Sequence, residues 1–345
     1  MKAAMYYGIK DVRLEDVAEP KAGPGDVVIK VQSATTCGTD VKRYMRGHAM
    51  SRGRGPAIFG HECAGTVVEV GEGVTRFKIG DRVATHNSAP DNTCYYCKQG
   101  VSSMCRSMSW LGGAFAEYVR IPKAIVEQNA FVMPGDLSFA AASLLEPFSC
   151  AVYGIDEIGI RLADTVVING AGPIGLMMVR LASLQGANVI CCDLSDYRLG
   201  VAKQLGAATT LNASGLADQV QAVRDLTPDG RGADVAIEAV GTPPTWEMAI
   251  KMARKGGRVL LFGGCKPDTT ITLDTELMHY SQLSLKGVFH TTPRHVQMAF
   301  DMICRHVITP EVFVTGHFPL ANVVEAIESH SRQEGIKNEI IVSAR

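Results

Sequence analysis

The sequence is poor in aromatic residues, shows no surplus of either charge, and has no long apolar run. Aromatics make up 6% of the 345 residues, and two of them are tryptophans. Thirty-four Lys and Arg face thirty-five Asp and Glu, a formal charge of −1. The basic footprint of a nucleic-acid-binding protein is therefore missing. No stretch approaches the ~20 apolar residues that a membrane span needs. The first residues, MKAAMYYGIKDVRLEDV, carry charges where a signal peptide would carry its apolar core. These absences point to a small-molecule partner and a cytoplasmic location, with neither nucleic acid nor membrane involved. A content of 46% hydrophobic and 20% charged residues suits an ordinary globular chain of two domains, and excludes disorder, collagen and coiled coil.

Ten cysteines are present. In a reducing compartment they are not expected to build a disulfide framework, so metal binding is the sharper question. Cys94, Cys97 and Cys105 cluster, and Cys37 precedes His61 and Glu62. The other six (Cys63, Cys150, Cys191, Cys192, Cys265, Cys304) stand in apolar context and are expected to pack in the core.

The middle of the chain alternates β-branched runs with helix-like segments, as parallel βαβ units do. Strands are expected at 165–168, 188–192, 208–211, 233–240, 258–262 and 283–289, with helices such as Pro173 to Gln185 and Gly215 to Leu226 between them. The pattern predicts an α/β fold with a doubly wound parallel sheet over residues 148–286. Residues 1–147 read differently. Short alternating runs such as DVVIKV and CAGTVVEV, broken by Gly and Pro, favour an antiparallel, partly barrel-like β domain. Residues 287–345, with an expected helix from Arg294 to Arg305 and the strand EIIVSA, are expected to return and complete that first domain.

Directly after the strand TVVI comes Gly170-Ala171-Gly172-Pro173-Ile174-Gly175, opening a helix, with Asp193 at the end of the next strand. The first glycine permits a tight turn, the second lets backbone approach a pyrophosphate, and the third allows close packing of helix on strand. The free N–H groups of the helix N-terminus complete a dinucleotide site. A carboxylate at Asp193 would accept ribose hydroxyls and repel a 2′-phosphate, which predicts NAD over NADP. Arg198 could reach a 2′-phosphate, or equally lie beside the adenine or ribose. Val240, at the end of the strand ADVAIEAV, is a further candidate cofactor contact.

Cys37, His61 and a carboxylate, Glu62 or Glu146, offer sulfur, nitrogen and oxygen donors of the kind a catalytic zinc uses with one position left open. On these residues the sequence resembles the zinc-dependent medium-chain dehydrogenase/reductase family, in particular its polyol (sorbitol-type) and threonine dehydrogenase branches. GHECAGTVVEVGEGV at 60–74 resembles the family's zinc signature. CGTD, the EPF segment, GAGPIG and LKGVF follow in the family's order, and the resemblance covers essentially the whole chain.

It implies a groES-like β-rich catalytic domain, a Rossmann domain and a catalytic zinc in the cleft between them. Cys37 and His61 would be ligands, with Glu62 or Glu146 completing the set. Thr39 would take the alcohol proton, and Asp40 would orient His61. Many relatives have a relay histidine where this chain has Lys42; water, Tyr44 or the nicotinamide ribose could carry the proton instead. Where the family has four cysteines for a structural zinc, this chain has Asp91, Cys94, Cys97 and Cys105, a possible Cys3Asp site.

The substrate is read less directly. Arg43, Arg46, His48, Arg52 and Arg54 form a locally basic segment suited to an oxygen-rich or anionic substrate, or simply to solvent or a subunit contact. Trp110, Phe115 and His290 are candidate walls. The expected activity is hydride transfer from a secondary alcohol of a polyol, cyclitol or sugar-derived substrate to NAD, with threonine or a simple secondary alcohol as the alternative. The strand LSLKGVF at a sheet edge suggests a homo-oligomer, a dimer or tetramer.

Overall fold

One local constraint on the first part of the chain is a crowded pair of strands. A computed structural model describes residues 1–47 and 55–342. Its contacts gather into two units, Met1–Ser149 with Thr291–Arg345, and Cys150–His290.

The first unit opens with β1 (Lys2–Gly8), β2 (Asp11–Asp16), β3 (Val27–Thr35), β4 (Ala57–Ile58) and β5 (Glu62–Val70). There follow β6 (Arg82–Thr85), β7 (Ser88–Ala89), β8 (Ser109–Trp110), β9 (Tyr118–Ile121) and β10 (Ala130–Val132). β1 pairs antiparallel with β2 and β4, while β3 pairs antiparallel with β5 and β9. β6 links β5 to β10. The Val-rich β3 has few exposed positions, because one face meets the core that holds Ile29, Val31, Phe59 and Phe115. Gly65 makes the β3–β5 approach possible: a Cβ there would stand 2.2 Å from the Lys30 carbonyl oxygen.

The second unit is a six-stranded parallel sheet: β11 (Thr165–Asn169), β12 (Asn188–Asp193), β13 (Thr209–Asn212), β14 (Ala233–Glu238), β15 (Ala253–Leu261) and β16 (Ser284–Gly287). The order β13-β12-β11-β14-β15-β16 is the doubly wound one expected for a Rossmann domain. Three strands differ from expectation by two residues or more, β16 by ending at Gly287 where 289 is expected. β15 begins at Ala253, because the ladder continues past Gly256 and Gly257 through a register shift opposite Ala233. β14 ends at Glu238, whose side chain binds the turn that follows. The helix expected from Gly215 runs over Gln219–Asp225, started by the Asp218 side chain accepting from the Gln221 N–H.

The chain then returns to the first unit through the helix Pro293–Cys304, β17 (Val314–Pro319), the helix Val323–Ser331 and β18 (Lys337–Ile341). β18 pairs antiparallel with β3, and β17 lies parallel to β18. The sheet therefore runs β10-β6-β5-β3-β18-β17, with β9 also on β3. The β17 strand was not anticipated, and it departs from the expected antiparallel arrangement.

All ten cysteines are free thiols. Cys63, Cys191 and Cys192 are core residues, and burial pushes the Cys63 and Cys192 thiols up to about 12. Cys150, Cys265 and Cys304 are only half-buried, which corrects the expectation of core packing for these three.

The close approach at Gly65 yields a prediction. Gly65→Ala forces β3 and β5 apart and is expected to lower stability by about 3 kcal/mol or more. Gly73→Ala, where an added Cβ meets nothing within 4 Å at φ +81°, should lose only about 1 kcal/mol. Denaturant unfolding of the two variants checks the difference; equal losses would contradict it.

Candidate metal and dinucleotide sites

Cys37 sits at the N-cap of the helix Gly38–Arg46. Its Sγ accepts from the Thr39 N–H at 3.4 Å, and its own N–H donates to Asp40 Oδ2 at 3.0 Å. The other Asp40 oxygen stands 3.1 Å from His61 Nδ1. One buried carboxylate thus joins the Cys37 turn to His61 and leaves Nε2 as the imidazole's other ligating atom. Burial alone would pull the His61 pKa down; Asp40 and the Cys37 sulfur outweigh it and hold the imidazole well above the ordinary histidine range. Ligating atoms of Cys37, His61 and Glu62 all lie within 4.8 Å of one another.

Glu62 is fully buried, and its two oxygens differ. Oε2 pairs with Lys337 Nζ at 2.6 Å and accepts from Thr35 Oγ1, whereas Oε1 has no hydrogen-bond partner. A buried carboxylate oxygen without a donor, beside a thiol and an imidazole, fits a cation. Lys337 is also buried and donates to the Thr36 carbonyl at 2.7 Å. Burial works against its charge, but Glu62, with Cys37 and Glu146, outweighs burial and raises its pKa. Sequence reasoning missed Lys337 and Thr35. The only local signal for the lysine was a charge at the start of an apolar strand.

Glu146 stands outside the Cys37–His61–Glu62 group. Asn87 Nδ2 donates to its Oε1 at 2.8 Å, and burial pushes its carboxyl up to about 7 against the pull of His61 and Lys337. Thr39 is exposed on the same helix as Lys42, and both lie within the turn or two that follow Cys37. The Tyr44 hydroxyl is committed to Glu328 Oε1 at 3.0 Å.

The expected substrate walls divide. Phe115 is fully buried in the core, edge-on to Phe59 and close under Gly60, so it is a packing residue and not a cleft wall. Trp110 is partly exposed and lines a cavity of about 290 Å³ with Lys21, Ile58 and Arg120; Cys37, His61 and Glu62 are not among its lining residues. The Arg43 guanidinium lies over the Tyr6 and Phe59 rings, 4.2 and 5.2 Å from their centroids. His290 has φ +64° and is half-buried in the second unit. His48, Arg52 and Arg54 lie outside the described residues.

A second donor group comprises Asp91, Cys94, Cys97 and Cys105, again within 4.8 Å of one another. Cys94 Sγ is 3.6 Å from Cys97 Sγ and 3.9 Å from Cys105 Sγ. Asp91 Oδ1 accepts from the Thr93 and Cys94 N–H groups, which hold the carboxyl well below its usual range. Backbone N–H groups of Cys97 and Arg106 draw the Cys94 thiol down to about 7. Four convergent donors, three of them thiols, suit a tetrahedral zinc.

In the second unit Gly170 adopts φ +108°, and a Cβ at Gly175 would stand 1.9 Å from the Gly170 carbonyl oxygen. A Cβ at Gly172 would meet nothing within 4 Å, which leaves the open approach a pyrophosphate needs at the N-cap of the helix Pro173–Leu184. Ile174 is half-buried beside it. Asp193 Oδ2 accepts from the Ala171 N–H at 2.7 Å and Oδ1 from the Ser195 N–H at 2.9 Å, so its carboxylate is fixed against the glycine turn. Arg198 is buried, and burial lowers its pKa against the pull of Asp193.

Residues 23–130 match the family described as Alcohol dehydrogenase GroES-like domain, and residues 173–305 match Zinc-binding dehydrogenase. The sorbitol dehydrogenase of Bacillus subtilis (strain 168) is 30% identical across 99% of this chain and 96% of its own length. The chain belongs to the zinc-dependent medium-chain dehydrogenase family. An L-threonine 3-dehydrogenase of Symbiobacterium thermophilum is 40% identical to this dehydrogenase over 72% of this chain and 71% of its own. A zinc-binding dehydrogenase from Sinorhizobium meliloti 1021, solved bound to NADP, superimposes with a TM-score of 0.91 at 28% identity, covering 99% of each chain. This dehydrogenase is thus an oxidoreductase of the alcohol dehydrogenase type with GroES-like and Rossmann-like domains. No helix among its described residues is long and apolar enough to cross a membrane.

The Glu62–Lys337 pair generates a stability prediction for the metal-stripped dehydrogenase. Lys337→Met leaves a buried carboxylate without its cation and is expected to remove about 3–5 kcal/mol. Glu62→Gln in the same chain should recover much of that loss. Urea unfolding of the two single variants and the double variant checks the coupling; additive losses would contradict it.

Proposed function

We propose that this dehydrogenase oxidises a secondary alcohol of a polyol, cyclitol or sugar-derived substrate to the ketone, with NAD as acceptor. The observation that carries the reading is the convergence of Cys37, His61 and Glu62, whose Oε1 has no hydrogen-bond partner, beside the exposed Thr39. A zinc held by Cys37, His61 and a Glu62 or Glu146 carboxylate would supply Lewis acidity to the alcohol oxygen, and the nicotinamide would accept the hydride. Asp40 keeps the His61 Nδ1 proton engaged, so that Nε2 can serve as donor atom. Thr39 takes the alcohol proton. The Tyr44 hydroxyl already donates to Glu328, which favours Lys42, water or the cofactor ribose as the onward path. Asp91, Cys94, Cys97 and Cys105 hold a second, structural zinc.

Gly170, Gly172, Pro173, Ile174 and Gly175 receive the pyrophosphate at the helix N-terminus. Each Asp193 oxygen keeps a lone pair beyond its backbone bond for the adenosine ribose hydroxyls, which favours NAD. Arg198 and Val240 complete the pocket. The Sinorhizobium neighbour was solved with NADP, so the preference here rests on the Asp193 carboxylate.

Arg43 and His290 remain candidate substrate contacts. A second reading, L-threonine oxidation, is favoured by the 40% identity to a threonine 3-dehydrogenase. The half-exposed thiols suit a reducing, cytoplasmic setting. β16, at the exposed edge of its sheet, suits pairing between subunits of a dimer or tetramer.

Rates of NADH formation on polyols, cyclitols, sugar acids and threonine test the substrate assignment: a rate concentrated on polyhydroxylated alcohols is expected, and turnover of threonine alone would replace it with the second reading. Cys37→Ser is expected to reduce turnover by at least ~100-fold while NADH still binds. Retained turnover in that variant would contradict the proposed metal role. Asp193→Ala should shift the NAD-over-NADP preference by roughly tenfold toward NADP, measured as kcat/KM for each cofactor. An unchanged ratio would show that Asp193 does not read the ribose.

A further inference from the structure

Glu238 ends β14 with its side chain fully buried at the carboxyl edge of the parallel sheet, where doubly wound folds bind their ligands. Its Oε1 accepts three hydrogen bonds: from the Val240 N–H at 2.9 Å, the Gly241 N–H at 2.8 Å and the Thr245 hydroxyl at 2.7 Å. Its backbone carbonyl accepts from the N–H groups of Phe262 and Gly263, both at 3.0 Å, in the loop that follows β15. Oε2 has no hydrogen-bond partner and occupies the space that a side chain at Gly263 would take, 2.6 Å from the position of its Cβ. An acid in this place is expensive to bury, and burial raises its pKa against the pull of those donors. An apolar residue would pack more cheaply but would leave the Val240 and Gly241 N–H groups without their acceptor and the Thr245 hydroxyl with only Thr242.

What those donors secure is the position of the 239–242 turn. Val240 is nearly half exposed, and its Cγ2 stands 2.8 Å from where a Cβ at Gly170 would lie. The Ala239 N–H donates to the Asn169 carbonyl at 2.9 Å, and the Ala239 Cβ lies 3.6 Å from the Cβ position of Gly175. The turn that Glu238 clamps therefore forms one side of the glycine turn that carries the dinucleotide fingerprint. Gly241, at φ +89°, fits the same corner, since a Cβ there would meet the Gly264 carbonyl oxygen at 2.7 Å. Glu238 as a whole is a shared anchor for three loops: its carboxyl group holds the turn after β14 and, through Val240, the wall of the fingerprint turn, while its backbone carbonyl holds the loop after β15.

We propose that Glu238 is a positioning residue for the dinucleotide: by accepting from Val240, Gly241 and Thr245 it fixes the wall beside Gly170 and thereby sets cofactor affinity. The inference rests on the reading of Gly170–Gly175 as a dinucleotide site.

The test uses the full-length, zinc-loaded enzyme and three variants: Glu238→Gln, Glu238→Leu and Thr245→Val. NADH dissociation constants are measured by fluorescence titration, and amide exchange is followed over residues 239–242. Glu238→Gln keeps an acceptor at Oε1 and should bind within about threefold of the unaltered chain. Glu238→Leu should bind NADH roughly tenfold or more weakly, raise KM for NAD with kcat at saturating NAD little changed, and lose exchange protection at Val240 and Gly241. Thr245→Val, which removes one of the three donors, should weaken binding by about threefold and keeps the proposal testable if the leucine variant does not fold. A folded leucine variant with unaltered NADH affinity, or an unaltered Thr245→Val where leucine does not fold, would overturn the proposal; so would a glutamine variant as weak as leucine. Absence of NADH binding by the unaltered enzyme would overturn the dinucleotide reading itself.

Discussion

The buried pair between Glu62 and Lys337 is the interaction on which the catalytic unit depends. Glu62 begins β5 and follows His61, while Lys337 begins β18, which the chain delivers only after completing the whole nucleotide unit. Pairing them sets β18 beside β3, neutralises a carboxylate that water cannot reach, and leaves the other Glu62 oxygen without a hydrogen-bond partner on a residue grouped with Cys37 and His61. In an apolar interior that oxygen can be kept without a donor only if something compensates its charge. The lysine supplies part of that compensation, and a metal at the thiol and imidazole would supply the rest. The polar floor of the site and the closure of a discontinuous domain are thus one structural event.

A similar economy governs the nucleotide unit. Backbone approaches there are so close that side chains are excluded at Gly170, Gly175, Gly241 and Gly263. The carboxyl groups of Asp193 and Glu238 accept the N–H groups these tight turns turn inward. Asp193 lies at the end of β12 and Glu238 at the end of β14, on either side of the central β11. Two acids, one half-buried and one fully buried, brace the glycine turn from two neighbouring strands.

Much of this was legible in the sequence because its signals are local. The six strands of the parallel sheet announce themselves as β-branched runs, and the glycine fingerprint sits within one strand–turn–helix. Cys37, His61 and Glu62 stand on two short motifs whose side-chain chemistry names them. What escaped depends on contacts between distant segments. Lys337 looks like any strand-flanking lysine until β18 is laid against β3. The β17–β18 parallel pairing follows from a return path that no local pattern encodes. Phe115 is a candidate cleft wall in the sequence, yet the missing side chain at Gly60 opens a place for its ring in the core. Glu238 reads as the end of an apolar strand, and its function as an acceptor emerges only once the turn folds back over it.

The proposed requirement for alcohol oxidation is a zinc held by Cys37, His61 and a Glu62 or Glu146 carboxylate. Its most direct test is a zinc titration of the metal-stripped dehydrogenase, with bound metal and NADH formation from a secondary alcohol followed together. The account predicts no turnover in the stripped protein and a rate that rises with occupancy of this site. A full rate in protein with no measurable zinc would contradict it.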